Sequence, residues 1–263
     1  MTADWAVKLF NRSVLKQAKY REIVRAIGDT RGRACLDIGG DNGVISYLLR
    51  QRGGEWASAD LDPLTVAAIR ELVGDHVHQI DGRSLPFADA SLDLVVIVDF
   101  LEHIEHDAAF VAEIARVLRP GGVVVANVPH VKRRSLLRQV RDAIGLTDEW
   151  HGHLRPGYTL DALRALLGSH FAIEASRTYS GSFSMAIDTA LNTAFLRLGG
   201  RKAGRSSGKG TVITGDVVRK NQRQFLLLSL LYPALWAVSR LDHLLFAQQG
   251  YMLIVRARRL AEV

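Results

Sequence analysis

Residues 34–43 read Ala-Cys-Leu-Asp-Ile-Gly-Gly-Asp-Asn-Gly. Five residues suited to a buried strand run into a glycine-rich turn, and an apolar helical pattern, Val44–Arg52, follows at once. Glycine permits backbone shapes and close approaches that side chains forbid. A nucleotide-type ligand can then lie against the carboxyl end of the strand. A second strand, Glu-Trp-Ala-Ser-Ala-Asp, ends at Asp60, twenty-three residues after Asp37. That spacing suits a carboxylate gripping ribose hydroxyls.

Working outward, strands and helices alternate. The pattern predicts strands at Ala34–Ile38, Trp56–Asp60, His76–Ile80, Leu92–Asp99, Val123–Val128, Phe171–Tyr179 and Tyr251–Ala257. Helices are predicted at Val44–Arg52, Pro63–Leu72, Asp107–Leu118 and Leu160–Leu167. The runs at Leu92 and Val123 are almost continuously apolar, as parallel strands buried on both faces require. The prediction is an α/β fold: a doubly wound, Rossmann-like, seven-stranded and mostly parallel sheet with helices on both faces. Residues 1–29 are expected to carry one N-terminal helix over residues 3–27. Residues 30–180 and 251–263 are expected to form the central domain. Residues 181–250 read as a helical and basic insertion before the last strand. Its candidate helices are Phe183–Leu198 and Phe225–Phe246, on either side of a glycine-rich basic loop.

The chain has 263 residues, 48% of them hydrophobic, enough for one substantial core with an addition. Its single cysteine, Cys35, excludes an internal disulfide and fits a reducing compartment. Its place inside the first strand makes it a small core residue. The first ten residues show no charged-then-apolar leader, and no run reaches the roughly 20 apolar residues of a membrane-crossing helix. A cytoplasmic location follows as the expectation. The formal charge is +7. Residues 199–223 hold seven Lys or Arg against one Asp, so a local +6 carries nearly all of it. Such a patch points to an anionic partner or to a solvated loop.

Four segments occur in order: LDIGGDNG at 36–43, ASADLDP at 57–63, IDGRSLPFADASLDLVVIVDFLEHI at 80–104 and VLRPGGVVVANVPH at 117–130. Together they resemble class I S-adenosylmethionine-dependent methyltransferases, closest to the branch of ubiquinone and menaquinone biosynthesis. The resemblance spans about residues 30–180 and the final strand. It implies S-adenosyl-L-methionine as cofactor and a methyl acceptor whose identity it leaves open. It also implies roles. Asp37 orders the turn and helps hold the amino-acid part of the cofactor, and Gly39, Gly40 and Gly43 let the backbone pass it. Asp60 accepts from both ribose hydroxyls, and Leu61 packs on the adenine. Asp81 with Gly82 reads the adenine amino group, while Asp99 and Phe100 line the reactive end. Asp41 stands where the family usually has glycine, adding a negative charge near the cationic sulfonium. A dinucleotide dehydrogenase fits less well, because the G-x-G-x-x-G spacing is absent.

Methyl transfer demands mainly geometry, since in-line positioning supplies roughly 7–11 kcal/mol of the barrier. A hydroxyl acceptor must also lose a proton, which a base or metal assists. His103, His153 and His151, with Glu102, are the candidates for that work. Asp99, Glu102 and His103 form a D-x-x-E-H run, and a later His would complete a set for Mg²⁺, Mn²⁺ or Zn²⁺. Some methyltransferases carry a similar Glu-x-x-Glu-His element. The opposing reading is that L-E-H-I also occurs in members without metal. His130 is a further rim candidate. Phe225–Ser239 is a charge-free run followed by Arg240, and with the basic loop it suits a membrane surface or a roof over an apolar acceptor. The expectation is methylation, at oxygen, of a small-molecule or lipid-linked acceptor, with peripheral contact to an anionic membrane through 199–246. RNA methylation and a catalytically silent scaffold of the same fold stay open, as does oligomer formation. Nucleic acid is the less favoured partner, since the positive charge is confined to one loop.

Overall fold

The computed structural model describes residues 4–40, 42–132, 135–197, 205–206, 210–211, 222–245 and 248–261. The main strands are β1 (Ala34–Ile38), β2 (Glu55–Asp60), β3 (Val77–Gln79), β4 (Leu92–Val98), β5 (Leu118–Pro129), β6 (Phe171–Tyr179) and β9 (Met252–Arg259). They form one sheet in the order β3-β2-β1-β4-β5-β9-β6. A two-residue ladder in the insertion pairs β7 (Arg205–Ser206) with β8 (Gly210–Thr211). Strands β1 to β5 pair in parallel, whereas β9 lies antiparallel between β5 and β6. The sheet is therefore mostly parallel and seven-stranded, as the alternating pattern requires.

Burial follows from composition. The apolar runs of β4 and β5 occupy the centre, with Leu94, Val95, Val96 and Ile97 and also Val123 and Val125 wholly covered. Helices α2 (Val14–Ile27) and α3 (Val44–Arg50) cover one face through Ile23, Ile27, Val44 and Leu49. Helices α5 (Asp107–Val117) and α7 (Leu160–Leu167) cover the other through Phe110, Ile114 and Leu163. Helix α4 (Pro63–Val73) follows β2, capped by Asp62, whose carboxylate accepts from Thr65 N at 2.9 Å. The chain reverses its direction of travel across the sheet between β1 and β4. Crevices that bind ligands form outside the strand tips at such a point.

The structure departs from the sequence reading in three places. The N-terminal helix is two helices, α1 (Asp4–Phe10) and α2, because Ser13 caps a new start by accepting from Lys16 N at 3.3 Å. The polar stretch after β5 contains α6 (Leu136–Ala143), capped by Ser135. The apolar run of the insertion is longer than its charge-free core. Helix α9 (Gln222–Arg240) continues into the turn Leu241–Leu245, and Phe225–Leu245 is by length and composition apolar enough to cross a membrane. Helix α8 (Ser182–Arg197) packs against α9. Of the basic loop, Arg201, Lys202, Lys209, Arg219 and Lys220 lie outside the described residues, as does Asp41.

Candidate active site

The glycine-rich turn is built around Asp37. This carboxylate is wholly buried, and it accepts from Ser46 Oγ at 2.5 Å, Ser58 Oγ at 2.7 Å and Arg50 Nη1 at 3.4 Å. Burial raises its pKa, while the Arg50 guanidinium and the hydroxyls pull the other way. Asp37 thus ties β1 to α3 and β2. Gly39 has φ +90°, and a Cβ there would sit 2.0 Å from the Val98 carbonyl oxygen. Only glycine lets the tip of β1 lie flush on β4. At Gly40 a Cβ would meet Ser46 Oγ at 2.6 Å, and at Gly43 the α4 backbone at 2.8 Å. These glycines serve close packing of the turn within the protein.

At the tip of β2, Asp60 is wholly covered, and its Oδ1 accepts from Asp62 N at 3.1 Å. A ligand reaches this carboxylate only when its present cover shifts. The next residue, Leu61, meets Gly82 and Ile104, which together form an apolar wall. Asp81 is fully exposed. Its Oδ1 accepts from Arg83 N at 2.8 Å and Ser84 N at 2.9 Å, which hold the carboxyl below its usual range. The residue caps its own turn. Carboxylate acceptors beside an apolar wall are what the hydroxyls of a ribose and the face of a purine need.

The tip of β4 carries a polar chain. Asp99 adopts φ +45°, a left-handed backbone uncommon outside glycine. Its carboxylate accepts from Lys19 of α2 and from Asn127 Nδ2 at 2.8 Å. Tyr179 in turn donates to Asn127 Oδ1 at 2.5 Å. Asp99 therefore joins α2, β4, β5 and β6. Phe100 points into the core, packed against Phe110 in a tilted pair with ring centroids 5.1 Å apart, so its ring is not part of an open lining.

Beside Asp99 lies a cavity of about 330 Å³. Its walls include Glu102, His130, His151 and His153, together with Lys16, Lys19, Arg138 and Arg141. Glu102 and His103 sit on a single turn after β4, and His153 reaches them from the loop behind α6. Two contacts pin that loop: Leu154 N donates to the Glu102 carbonyl at 2.8 Å, and His103 Nδ1 meets the Gly152 carbonyl at 2.9 Å. A carbonyl only accepts, so His103 Nδ1 carries the proton and Nε2 is the ring nitrogen with the lone pair. The His103 and His153 rings meet edge to face at 4.9 Å. Burial lowers the pKa of His153, Asp99 opposes this, and Arg141 and Arg138 reinforce it. His153 Nδ1 lies 3.8 Å from Asp148. Burial, with Arg141 next, pushes His151 down to about 3. Arg141 Nη2 lies 3.1 Å from His151 Nε2, which accepts from it and is thereby engaged.

Glu102, His103 and His153 bring one donor atom each within 4.8 Å of one another. Asp99 is not in that group, which corrects the D-x-x-E-H set. Its carboxylate is committed to Lys19 and Asn127. His103 stands behind the cavity wall and not on it. His130 donates through Nδ1 to the Gly250 carbonyl, 2.9 Å away, and so fastens the loop before β9.

Lys19, Asn127 and Tyr179 were not legible as site residues, although Asn127 left a trace as the one amide inside an apolar strand. Arg138 and Arg141 belong to α6, which the sequence pattern did not reveal.

Residues 36–126 match the family model described as a methyltransferase domain. Over 97 residues the chain is 36% identical to an uncharacterized methyltransferase of Mycobacterium sp. (strain KMS), covering 36% of this chain and 38% of that protein. It is 29% identical over 143 residues to the demethylmenaquinone methyltransferase of Tropheryma whipplei (strain Twist), covering 48% and 60%. The chain thus spans less than two thirds of the curated relatives it matches. In fold it is similar to the [4+2]-cyclase SpnF, with TM-score 0.61 and 18% identity over 94% of this chain and 82% of that one. It is also similar to a putative sarcosine dimethylglycine methyltransferase from Galdieria sulphuraria, with TM-score 0.59 and 14% identity over 94% and 88%.

Proposed function

We propose that the protein transfers a methyl group from S-adenosylmethionine to an acceptor bound in the cavity beside Asp99, a reading that the methyltransferase-domain match over residues 36–126 supports. The observation that carries this is the convergence at the carboxyl end of the sheet: Asp37, Gly39 and Asp60 at the tips of β1 and β2, and Asp99 at the tip of β4, where it lines the cavity of His153. When bound, S-adenosylmethionine supplies an activated methyl group, whose carbon–sulfur bond breaks toward sulfur as the acceptor's lone pair forms the new bond. The residues of the chain supply position and proton transfer. Asp60 and Leu61 hold the ribose and adenine. Asp99, held by Lys19 and Asn127, lines the cavity at the reactive end.

His153 is the base that takes a hydroxyl proton from the acceptor, which makes oxygen the methylated atom. Its depressed pKa keeps the imidazole neutral and able to accept near neutral pH. The nearby Asp148 carboxylate faces the imidazolium that forms. Glu102 and His103 act as positioning residues beneath it. The acceptor class is a small or lipid-linked molecule, which the cationic wall and the adjoining apolar groove along Leu136, Val140 and Phe183 both suit. A second reading has Glu102, His103 and His153 holding a divalent cation, favoured by their mutual distances and by the fixed tautomer of His103.

Titration calorimetry tests the cofactor assignment: wild-type protein binds S-adenosylmethionine and Asp60→Ala binds at least about tenfold more weakly. Equal affinity refutes the role of Asp60. Zinc or manganese binding that Glu102→Gln abolishes would favour the metal reading over the imidazole base.

A further inference from the structure

Helix α9 reverses the ordinary pattern of a surface helix. The side turned away from the protein is apolar: Leu226 is 62% exposed, Leu230 70%, and Leu244, in the following turn, 71%. Leu231, Val238 and Trp236 extend the same stripe. Only 6% of its most apolar stretch is buried. Soluble proteins seldom leave so long a contiguous apolar strip to water.

The opposite side is fastened to the domain. Gln17 Nε2 donates to Tyr232 Oη at 2.9 Å, and the Arg12 guanidinium lies 5.5 Å from the Tyr232 ring centre. The only acidic residue between Phe225 and Leu245 is Asp242. It turns inward and accepts from Phe183 N at 2.8 Å and Gly181 N at 3.0 Å. The outward side is thus without acidic residues, and Arg240 lies over the Trp236 ring at 5.5 Å. In sequence, the segment that precedes the helix carries the local +6.

We propose that this side of α9 docks on an anionic membrane surface, with the helix lying in the interface plane. The anchoring by Tyr232 and Asp242 opposes a spanning orientation, since crossing would strip those contacts. Charge selects the membrane over a second copy of the chain. The outward side carries Arg240 and no acid, and the +6 segment adjoins it in sequence, a balance that anionic lipid complements and a second copy of the same side does not. Leucines enter the acyl boundary, while Trp236 and Arg240 sit at headgroup level. The same helix touches α2, whose Lys16 and Lys19 line the acceptor cavity, so an amphiphilic acceptor has a short path from the bilayer into the site.

Co-sedimentation of the full chain with phosphatidylcholine vesicles, with and without phosphatidylglycerol, tests this without any cofactor. Failure of the methyl-transfer reading would leave the result untouched. Wild-type protein is expected to bind the phosphatidylglycerol vesicles, more weakly as salt rises, and Trp236 emission to shift to the blue. Neutralising the basic segment should cost roughly fivefold per cation removed. The double variant Leu230→Glu, Leu244→Glu changes only exposed side chains. It should keep its thermal midpoint and lose binding by at least about tenfold. The proposal is overturned if wild-type protein ignores anionic vesicles, or if the double variant binds them equally. It is also overturned if sedimentation equilibrium shows a dimer that the double variant dissociates while vesicle binding is absent.

Discussion

Substituting Gly39 by alanine tests how tightly the tips of β1 and β4 are joined. Two costs arise. The residue has φ +90°, a conformation that costs an L residue about 1–2 kcal/mol. The new methyl group would also lie 2.0 Å from the Val98 carbonyl oxygen, where contacts under 3.0 Å essentially never occur. The strands must part by about 1 Å, a distortion comparable with an overpacked core at about 1–3 kcal/mol. Gly28 provides the control. It has φ +71°, and nothing lies within 4 Å of the place a Cβ would take, so only the backbone cost applies. Urea unfolding followed by tryptophan emission should place Gly39→Ala about 2–5 kcal/mol below wild type and Gly28→Ala about 1–2 kcal/mol below. Calorimetry on Gly39→Ala should also show weakened S-adenosylmethionine binding, because the turn that receives the ligand has moved. Equal midpoints for the two variants would refute the steric argument.

Burial pushes the Cys35 thiol up to about 12, so an aromatic disulfide reagent at pH 8 should react with the folded protein at least about a hundredfold more slowly than with the urea-unfolded chain; comparable rates would contradict it. The pKa of His151 is about 3 in the folded protein and near 6.5 when unfolded, so the unfolded state takes the proton first as pH falls. The stability this group contributes is intact above pH 6.5 and declines between there and about 3, by up to about 1.4 kcal/mol per pH unit; urea midpoints at pH 7.5 and 5 should differ less in His151→Gln than in wild type. Removing the Tyr179 hydroxyl leaves the Asn127 carbonyl unpaired in a buried place and should cost about 1–3 kcal/mol in Tyr179→Phe, read as a lowered thermal midpoint.

The sheet was legible because its central strands have no polar alternation. Only strands covered on both faces read like Leu94–Val98 or Val123–Ala126. The parts that escaped have physical reasons. The break between α1 and α2 rests on one capping hydroxyl at Ser13 inside an otherwise helical run. Helix α6 leaves Leu136 and Val140 exposed and alternates them with arginines, so its pattern resembles a polar loop. The acids at the strand tips, Asp37 and Asp60, were visible through their spacing after strands, a local signal. The pairing of Lys19 with Asp99 joins residues 80 apart in sequence, and no local periodicity encodes such a contact. The imidazole cluster was half legible. Glu102 and His103 share a turn, but only the fold brings His153 to them, and only the hydrogen bonds show that Arg141 engages His151.

The most direct measurement is a crystal structure of the protein with S-adenosylhomocysteine. The ligand is expected to lie across the tips of β1 and β2, its ribose hydroxyls about 2.6–3.0 Å from the Asp60 carboxylate and its sulfur facing the cavity of His153. A ligand whose sugar lies away from Asp60, or a crevice that stays empty at saturating concentration, would contradict it.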